Sequence, residues 1–235
     1  MKKHRVAVLL TALALTTTAL GVGWHMLSGP GEPQISVKAR IKLPEPARMD
    51  MPLSEALEKR RSIRKYRPEP LTLRELSTVL WAAQGITDPR GFRTAPSAGA
   101  LYPLRVFVVV KNVKGLEPGI YVYDPKTHTL GLVKRGDFHL QLQRACLDQE
   151  WVGQAAVNLV IVGYERVLRP RYGDRSFRYM ALEAGHVGQN IYLACTALGL
   201  GTVAVGAFHD DQVKRILGIR AEDAVPLYVF PIGRR

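Results

Sequence analysis

Apolar residues recur at helical spacing in several segments of the chain, and these segments predict helices. The clearest one starts with Thr72 and Glu75, which have the spacing of a capping box, and its apolar face continues until Gly85. A longer helical pattern covers residues 176–197, and shorter helices are predicted at residues 54–60, 137–147 and 210–217. Ser54 is expected to cap the first of these short helices. The side chains expected to face the core from that helix are Leu53, Ala56 and Leu57.

Runs of β-branched and other apolar residues predict the strands. Residues 105–111 and 157–163 are almost continuously apolar, which is typical of central strands. Two runs separated by a short turn predict a hairpin at residues 120–124 and 129–133. Further strands are predicted at residues 202–205 and 227–231. Because the order of helices and strands is irregular and includes a hairpin, the pattern favours an α+β fold over a βαβ repeat.

The N-terminal part of the chain has a different composition. Residues 6–27 are uncharged and follow Lys2, Lys3 and Arg5, and as a helix they would span about 33 Å, enough to cross a bilayer core. We expect residues 1–27 to be a membrane anchor that leaves the domain outside the cytoplasm, or an export signal that is cleaved. Residues 28–52 are rich in proline, glycine and basic residues and are expected to be an extended linker to a domain at 53–235.

Composition and charge limit the classes of partner. With 235 residues and 47% hydrophobic content, the chain can bury one substantial core. The net charge of +13 comes from cations dispersed between Lys2 and Arg235, so we expect no nucleic-acid partner and favour a small anionic ligand or an anionic membrane surface. Cys146 and Cys195 lie in apolar helical patterns and are interpreted as buried thiols, although the sequence leaves a disulfide open.

Two short segments carry candidate chemistry. Arg60, Arg61, Ser62 and Arg64 place three guanidiniums and a hydroxyl within five residues. Such donors suit a phosphate because charge-assisted hydrogen bonds are strong and fixed in direction, although a solvated basic helix end has the same composition. Residues 94–100 contain no bulky side chain, so their backbone can approach a planar ring, or they form a turn that leads into a strand.

Two other kinds of site are excluded by their sequence patterns. The glycine-rich residues 199–208 lack the GxGxxG order and do not open a helix after a first strand, which excludes a Rossmann-type NAD site. No two histidines have the spacing of metal ligands, so we expect no metal site. Together, the small-residue loop and the arginine segment at residues 60–64 favour a pocket for a flat, phosphorylated cofactor.

Five segments in this order resemble the nitroreductase-like FMN-dependent oxidoreductases, specifically the branch of SagB-type azoline dehydrogenases. The five segments are RRSIR (60–64), APSAGALYP (95–103), LEAGHVGQN (182–190), LGLGTVAVGAF (198–208) and YVFPIGR (228–234). No single segment is specific for this family, but the occurrence of all five in this order is. The resemblance covers residues 54–234. It implies a nitroreductase-like FMN-binding fold with a mixed central sheet flanked by helices, and a homodimer that shares two FMN sites at its interface.

The resemblance also implies roles for individual residues. The family segment that holds the FMN phosphate, ribityl chain and pyrimidine edge matches Arg60, Arg61, Ser62 and Arg64. The loop that reaches the flavin, commonly from the partner subunit, matches Pro96, Ser97, Ala98 and Gly99. The strand end whose backbone N–H faces flavin N5 matches Val205, Gly206 and Ala207. The C-terminal return toward the phosphate matches Gly233 and Arg234.

One segment departs from the pattern of the azoline dehydrogenases. That branch carries a Lys-Tyr pair in which a base removes a proton from the heterocycle, and the matching residues here are Arg171 and Tyr172. Arginine stays protonated, so Arg171 is a poor general base. It could instead orient an anionic or carbonyl-bearing substrate, with Tyr172 as a candidate acid. The segment could equally be a surface loop.

The leading hypothesis is an FMN-dependent oxidoreductase that transfers hydride through flavin N5 in a ping-pong cycle, to or from a small organic substrate. NAD(P)H is a candidate electron donor. One alternative is an azoline dehydrogenase that oxidises thiazoline or oxazoline rings in a modified peptide. The other is a membrane-tethered flavin-binding module without turnover.

Overall fold

The structure is a computed structural model that describes residue 33 and residues 35–235. Its strands are β1 (Ala39–Lys42), β2 (Leu71–Thr72), β3 (Leu104–Val110), β4 (Val113–Lys114), β5 (Gly119–Asp124), β6 (Thr129–Arg135), β7 (Val157–Tyr164), β8 (Leu200–Thr202) and β9 (Ala224–Arg234). Its α-helices are α1 (Leu53–Lys59), α2 (Leu73–Gln84), α3 (His139–Ala145), α4 (Glu150–Gln154), α5 (Glu165–Tyr172), α6 (Ser176–Ala197) and α7 (Asp210–Leu217). Two single 3₁₀ turns occur at Ala98–Ala100 and Gly173–Arg175.

Seven strands form one sheet in the order β1-β6-β5-β3-β7-β9-β8. Every neighbouring pair in this sheet is antiparallel, whereas β2 and β4 form a separate parallel pair. The predicted α+β fold with a helix-flanked sheet is confirmed. The expectation of a mixed central sheet is wrong, because neighbouring strands of the large sheet all run in opposite directions.

The central strands are buried on both faces. Val106, Val108 and Val110 of β3 pack into one core with residues of α2 and α6. Phe107 and Val109 of the same strand pack into a second core with residues of α3, α4 and α7. Burial on both sides explains why the sequence of this strand is continuously apolar rather than alternating.

The predictions for the helices differ in their outcome. The capping box is present at α2, since Thr72 Oγ1 accepts from the Glu75 N–H and the Glu75 carboxylate accepts from the Thr72 N–H. Helix α1 instead begins after Pro52 without a side-chain cap, and Leu53 and Leu57 are 66% and 52% exposed. The inward orientation expected for these two leucines is therefore wrong within one chain, because only the Ala56 side of α1 meets the core.

The N-terminal predictions fall partly outside the described residues. The expected anchor or signal at residues 1–27 lies outside them. Among residues 33 and 35–235, no helix is both long enough and apolar enough to cross a membrane. Within the expected linker, β1 pairs with β6, and the carbonyl of Pro44 accepts a hydrogen bond from Ser77 Oγ at 2.5 Å. The second half of this segment is thus packed on the domain. Cys146 and Cys195 are buried free thiols.

Candidate functional site

The segment from Arg60 to Arg64 lies beside the edge strand β8. The backbone N–H of Ile63 donates to the carbonyl of Thr202 at 2.8 Å and fixes the segment against the sheet. Arg61, Ser62 and Arg64 are exposed and Arg60 is half-buried, so the donor groups predicted to hold a phosphate are open to solvent. We refer to Arg60, Arg61, Ser62 and Arg64 as the basic cluster.

Tyr192 of α6 joins the basic cluster to the chain that follows β8. Its hydroxyl lies 2.9 Å from Ser62 Oγ and accepts a hydrogen bond from the Ala204 N–H at 2.8 Å. The guanidinium of Arg60 lies over its ring at 5.1 Å from the centroid. Sequence reasoning missed Tyr192 because a tyrosine inside a long helix carries no local signal of such a role.

The Arg64 guanidinium lies over the ring of Trp151 at 5.5 Å from the centroid, so an aromatic ring also positions this arginine. Trp151 belongs to α4, which comes from a different part of the sequence. Arg61 differs from both, since its guanidinium donates to the carbonyls of Glu58 at 2.9 Å and Arg60 at 2.7 Å. Arg60 and Arg64 are thus the two guanidiniums of the cluster that are held by aromatic contacts.

The predicted strand end at Val205, Gly206 and Ala207 continues from Ala204. Val205 exchanges two 2.9 Å backbone hydrogen bonds with Val229, and the Ala207 carbonyl accepts from Gln149 Nε2 at 2.9 Å. Gly206 and Ala207 are exposed, and their N–H groups have no hydrogen-bond partner in the part of the chain that the structure describes. The structure therefore brings this strand end and the basic cluster together through Tyr192.

The loop with Pro96, Ser97, Ala98 and Gly99 contacts the predicted catalytic pair. Gly99 has a φ of +60°, and a Cβ placed on it would lie 2.7 Å from Arg171 Nη1 and 2.7 Å from the Tyr172 hydroxyl. Arg171 and Tyr172 are the last residues of α5 and not part of a surface loop. The loop with Ser97 thus forms one surface with Arg171 and Tyr172.

A buried carboxylate anchors this loop from behind. Ser97 Oγ donates to Glu183 Oε2 at 2.5 Å and accepts from the Tyr102 N–H at 2.9 Å. Glu183 is 2% exposed, and burial raises the pKa of its carboxyl to about 7 against the opposing effects of Ser97, Arg93, Gln84 and Arg105. The sequence analysis missed Glu183 as a site residue, because only the fold places its helix under the loop.

The two parts of the site lie on different sides of α6. Glu183 holds the loop and Tyr192 contacts the basic cluster, and these residues are nine positions apart on the helix. Nine positions correspond to about 13 Å along the helix axis and about 180° around it. Within one chain, the loop and the basic cluster therefore contact opposite sides of this helix.

Comparison with known proteins identifies the family. The sequence model of the Nitroreductase family matches residues 57–234, which is most of the chain. The chain belongs to the nitroreductase family.

Similar proteins were found both by sequence and among solved structures. A nitroreductase-family protein of Methanocaldococcus jannaschii is 48% identical over 187 residues, which cover 79% of this chain and 92% of that protein. The microcin B17-processing protein McbC of Escherichia coli is 28% identical over 69% of this chain and 62% of its own length. A crystal structure of a nitroreductase-family protein from Ralstonia eutropha JMP134 superposes with a TM-score of 0.73 at 34% identity, covering 83% of this chain and 89% of that one.

The last predicted contributors, Gly233 and Arg234, have structural partners in this nitroreductase-family chain. The guanidinium of Arg234 pairs with the Glu75 carboxylate at 2.5 and 2.8 Å and donates to the Pro70 carbonyl at 3.2 Å. A Cβ on Gly233 would lie 2.7 Å from Tyr66, so the glycine allows close packing. Arg234 thus pairs with the carboxylate of the α2 capping box. Its expected role at a phosphate stays a prediction.

We expect Tyr192→Phe to lower the free energy of unfolding by about 1 kcal/mol, because the Ala204 N–H loses its acceptor while the ring keeps its packing on Phe230. Urea unfolding followed by circular dichroism measures the change. Tyr179→Phe is the matched control, since the Tyr179 hydroxyl has no hydrogen-bond partner within the described residues. An equal effect of both substitutions would contradict the assigned role of Tyr192.

Proposed function

We propose that this nitroreductase-family oxidoreductase uses FMN, with the cofactor phosphate and ribityl chain at the basic cluster. The observation that carries the proposal is the juxtaposition of half-buried Arg60 and exposed Ser62 and Arg64 with the N–H groups of exposed Gly206 and Ala207, joined by Tyr192. The resemblance of the five segments to FMN-dependent family members supports the choice of cofactor.

The local chemistry fits a phosphorylated flavin. The guanidiniums and the Ser62 hydroxyl suit a phosphate, and a Cβ on Gly206 would meet only Tyr228 at 3.8 Å, so the backbone there is open to a planar ring. The Thr202 hydroxyl beside the basic cluster is buried and has no partner within the described residues. A polar ligand in this place would supply one.

We propose that each FMN site is shared between two copies of the chain. The loop with Ser97 and the basic cluster contact opposite sides of α6, which favours a cofactor that meets them on two different chains. Leu53 and Leu57 of α1 and Phe177 and Leu182 of α6 are each more than half exposed. A second copy covering this apolar surface would bring its loop to the basic cluster of the first.

FMN, when bound, accepts or donates hydride at N5. The N–H groups of Gly206 and Ala207 are fixed dipoles that would stabilise negative charge developing at that atom without reorganisation. Tyr172 would hold a proton for the substrate, and Arg171 would orient an anionic or carbonyl-bearing group. NAD(P)H is the proposed electron donor, and we propose that the domain acts outside the cytoplasm, anchored or exported.

A second candidate function is oxidation of an azoline ring in a peptide. It is favoured by the 28% identity to the microcin B17-processing protein McbC. The arginine at position 171, where the azoline dehydrogenases carry a lysine, weakens this function, because a guanidinium cannot readily remove the ring proton. Retention of FMN with no reduction by NAD(P)H and no oxidation of any donor would instead favour the binding module without turnover.

We expect the chain from residue 35 onward, purified with added FMN, to be yellow, with a flavin absorption band near about 450 nm. Gel filtration with light scattering should give a dimer whose stoichiometry is one FMN per chain. Anaerobic addition of NADPH or NADH should bleach the band, and air or a substrate should restore it. No retained chromophore after FMN addition would refute the proposed function, and a flavin-loaded monomer would refute the shared site.

A further inference from the structure

Tyr228 of β9 lies directly opposite Gly206, at the strand end that follows β8. Val205 and Val229 form an antiparallel bridge with two backbone hydrogen bonds of 2.9 Å, so the next pair along the two segments is Gly206 and Tyr228. Outside its chain neighbours, the nearest atom to a Cβ placed on Gly206 would be Cε1 of the Tyr228 ring, at 3.8 Å. Tyr228 is therefore the side chain that lies beside one of the N–H groups proposed to face flavin N5.

Three aromatic rings connect this strand end to the basic cluster. The Tyr228 ring packs on Phe230 with the ring centroids 5.5 Å apart, and Phe230 packs against the Tyr192 ring at 5.8 Å in an edge-to-face arrangement. Phe230 is buried, and a Cβ placed on Gly188 of α6 would lie 2.7 Å from its ring. The tightly packed middle ring thus holds both tyrosines on the face of the sheet that α6 covers.

The hydroxyl groups at the two ends of this row differ. The Tyr192 hydroxyl is engaged in the contacts with Ser62 and Ala204. Tyr228 is half-buried, and its hydroxyl has no hydrogen-bond partner in the part of the chain that the structure describes. In contrast, the buried Tyr121 donates to a backbone carbonyl at 2.7 Å, as is usual for a phenol that fills a core. A polar ligand beside Gly206 would give the Tyr228 hydroxyl a partner.

A flavin offers an acceptor at this position. The N–H groups of Gly206 and Ala207 would hold its N5, and the C4 carbonyl is attached next to that atom in the ring system. A phenol hydroxyl is a suitable donor to a carbonyl oxygen. Because hydride uptake increases the electron density on this oxygen, the Tyr228 hydroxyl would bind the reduced ring more strongly than the oxidised ring.

We propose that Tyr228 is a further residue of the flavin site and that its hydroxyl donates a hydrogen bond to the flavin C4 carbonyl. The inference rests on the proposed function for the identity of the cofactor. It adds to that function a side chain that favours the reduced form of FMN. A purely structural role, in which the Tyr228 ring covers Gly206 in the sheet, would need only the ring and not the hydroxyl.

Tyr228→Phe separates these two roles, because it removes the hydroxyl and keeps the ring. Equilibration of the FMN-loaded protein with a redox dye during slow anaerobic reduction gives the ratio of the dissociation constants of oxidised and reduced FMN. We expect this ratio to fall at least about fivefold in Tyr228→Phe, since one hydrogen bond contributes about that factor. The dissociation constant of oxidised FMN, measured by fluorescence titration, should change less than that of reduced FMN.

Tyr121→Phe is the matched control. It also removes a phenol hydroxyl, but from β5, which lies three strands away from β9 in the sheet, so the ratio should stay at the wild-type value. A wild-type ratio in Tyr228→Phe would show that the ring only covers Gly206, and an equal fall in both variants would trace the change to a general loss of stability. Either result overturns the role of Tyr228 and leaves the proposed function intact, whereas a wild type that retains no FMN refutes both.

Discussion

Arg60→Gln combined with Arg64→Gln is expected to weaken FMN binding at least about a hundredfold. In the proposed site, each substitution would remove a charge-assisted contact to the phosphate region, and such contacts contribute about 1.5–3 kcal/mol each. The fold should be preserved, because the Ile63 N–H still donates to the Thr202 carbonyl and holds the segment against the sheet. Titration of the variant with FMN, followed by quenching of the flavin fluorescence, gives the affinity.

Lys65→Gln is the control for this variant, because Lys65 is an exposed cation of the same segment outside the basic cluster. It should bind FMN within about threefold of the wild type, as expected for a surface charge that contacts no ligand. If the paired arginine variant binds FMN as tightly as Lys65→Gln does, the phosphate is not held by Arg60 and Arg64. Circular dichroism of all three proteins verifies that they fold.

The wild type is expected to become less stable as the pH rises from about 5 to 7, and Glu183→Gln is expected to abolish this decline. In the unfolded chain this carboxyl ionises near its ordinary pKa of 4.5, whereas burial raises the pKa to about 7 in the folded chain. Between these values the folded state binds more protons, so the free energy of unfolding falls as the pH rises, by about 3 kcal/mol in total. Glutamine stays neutral and should give a flat profile in this range. Urea unfolding at several pH values measures it.

Ser97→Ala is expected to keep the Glu183 titration but to move it to higher pH. The Ser97 hydroxyl donates to the Glu183 carboxylate and favours its ionised form, so its removal should raise the pKa of Glu183 further. The decline in stability should then extend above pH 7. The carboxyls of Glu75 and Asp223 have lowered pKa values, so they affect stability at lower pH and do not produce this decline. If the free energy of unfolding depends on pH in the same way in the wild type and in Glu183→Gln, the buried carboxyl of Glu183 does not cause the decline.

Elements with strong local signals were predicted well from the sequence. The bounds of α6 and α7 agree with the prediction, and the capping box at Thr72 and Glu75 starts α2 as expected. These features depend on side chains within a few residues of one another. Predictions that depend on distant partners were less successful. Strand β8 ends at Thr202, where the predicted strand at 202–205 was to begin, because its extent is set by pairing with β9.

The orientation of α1 shows the same limit. The sequence places Leu53 and Leu57 on the apolar side of a short helix, but within one chain the core reaches only Ala56. Whether an apolar side chain is buried depends on which surface it meets, and that surface is made by residues far away in the sequence. The antiparallel pairing of β1 with β6 was not predicted for the same reason.

By itself, the sequence determined the family, the helix-flanked sheet and the segments that carry candidate chemistry, because these are properties of short motifs and of their order. Only the tertiary structure decided that Tyr192 joins the basic cluster to Ala204, that Glu183 holds the loop with Ser97, and that Arg93 and Arg105 both contact Tyr102. The tertiary structure also showed that the Arg234 guanidinium pairs with the Glu75 carboxylate. Many of these contacts join residues more than eighty positions apart, and folding alone brings such residues within hydrogen-bonding distance.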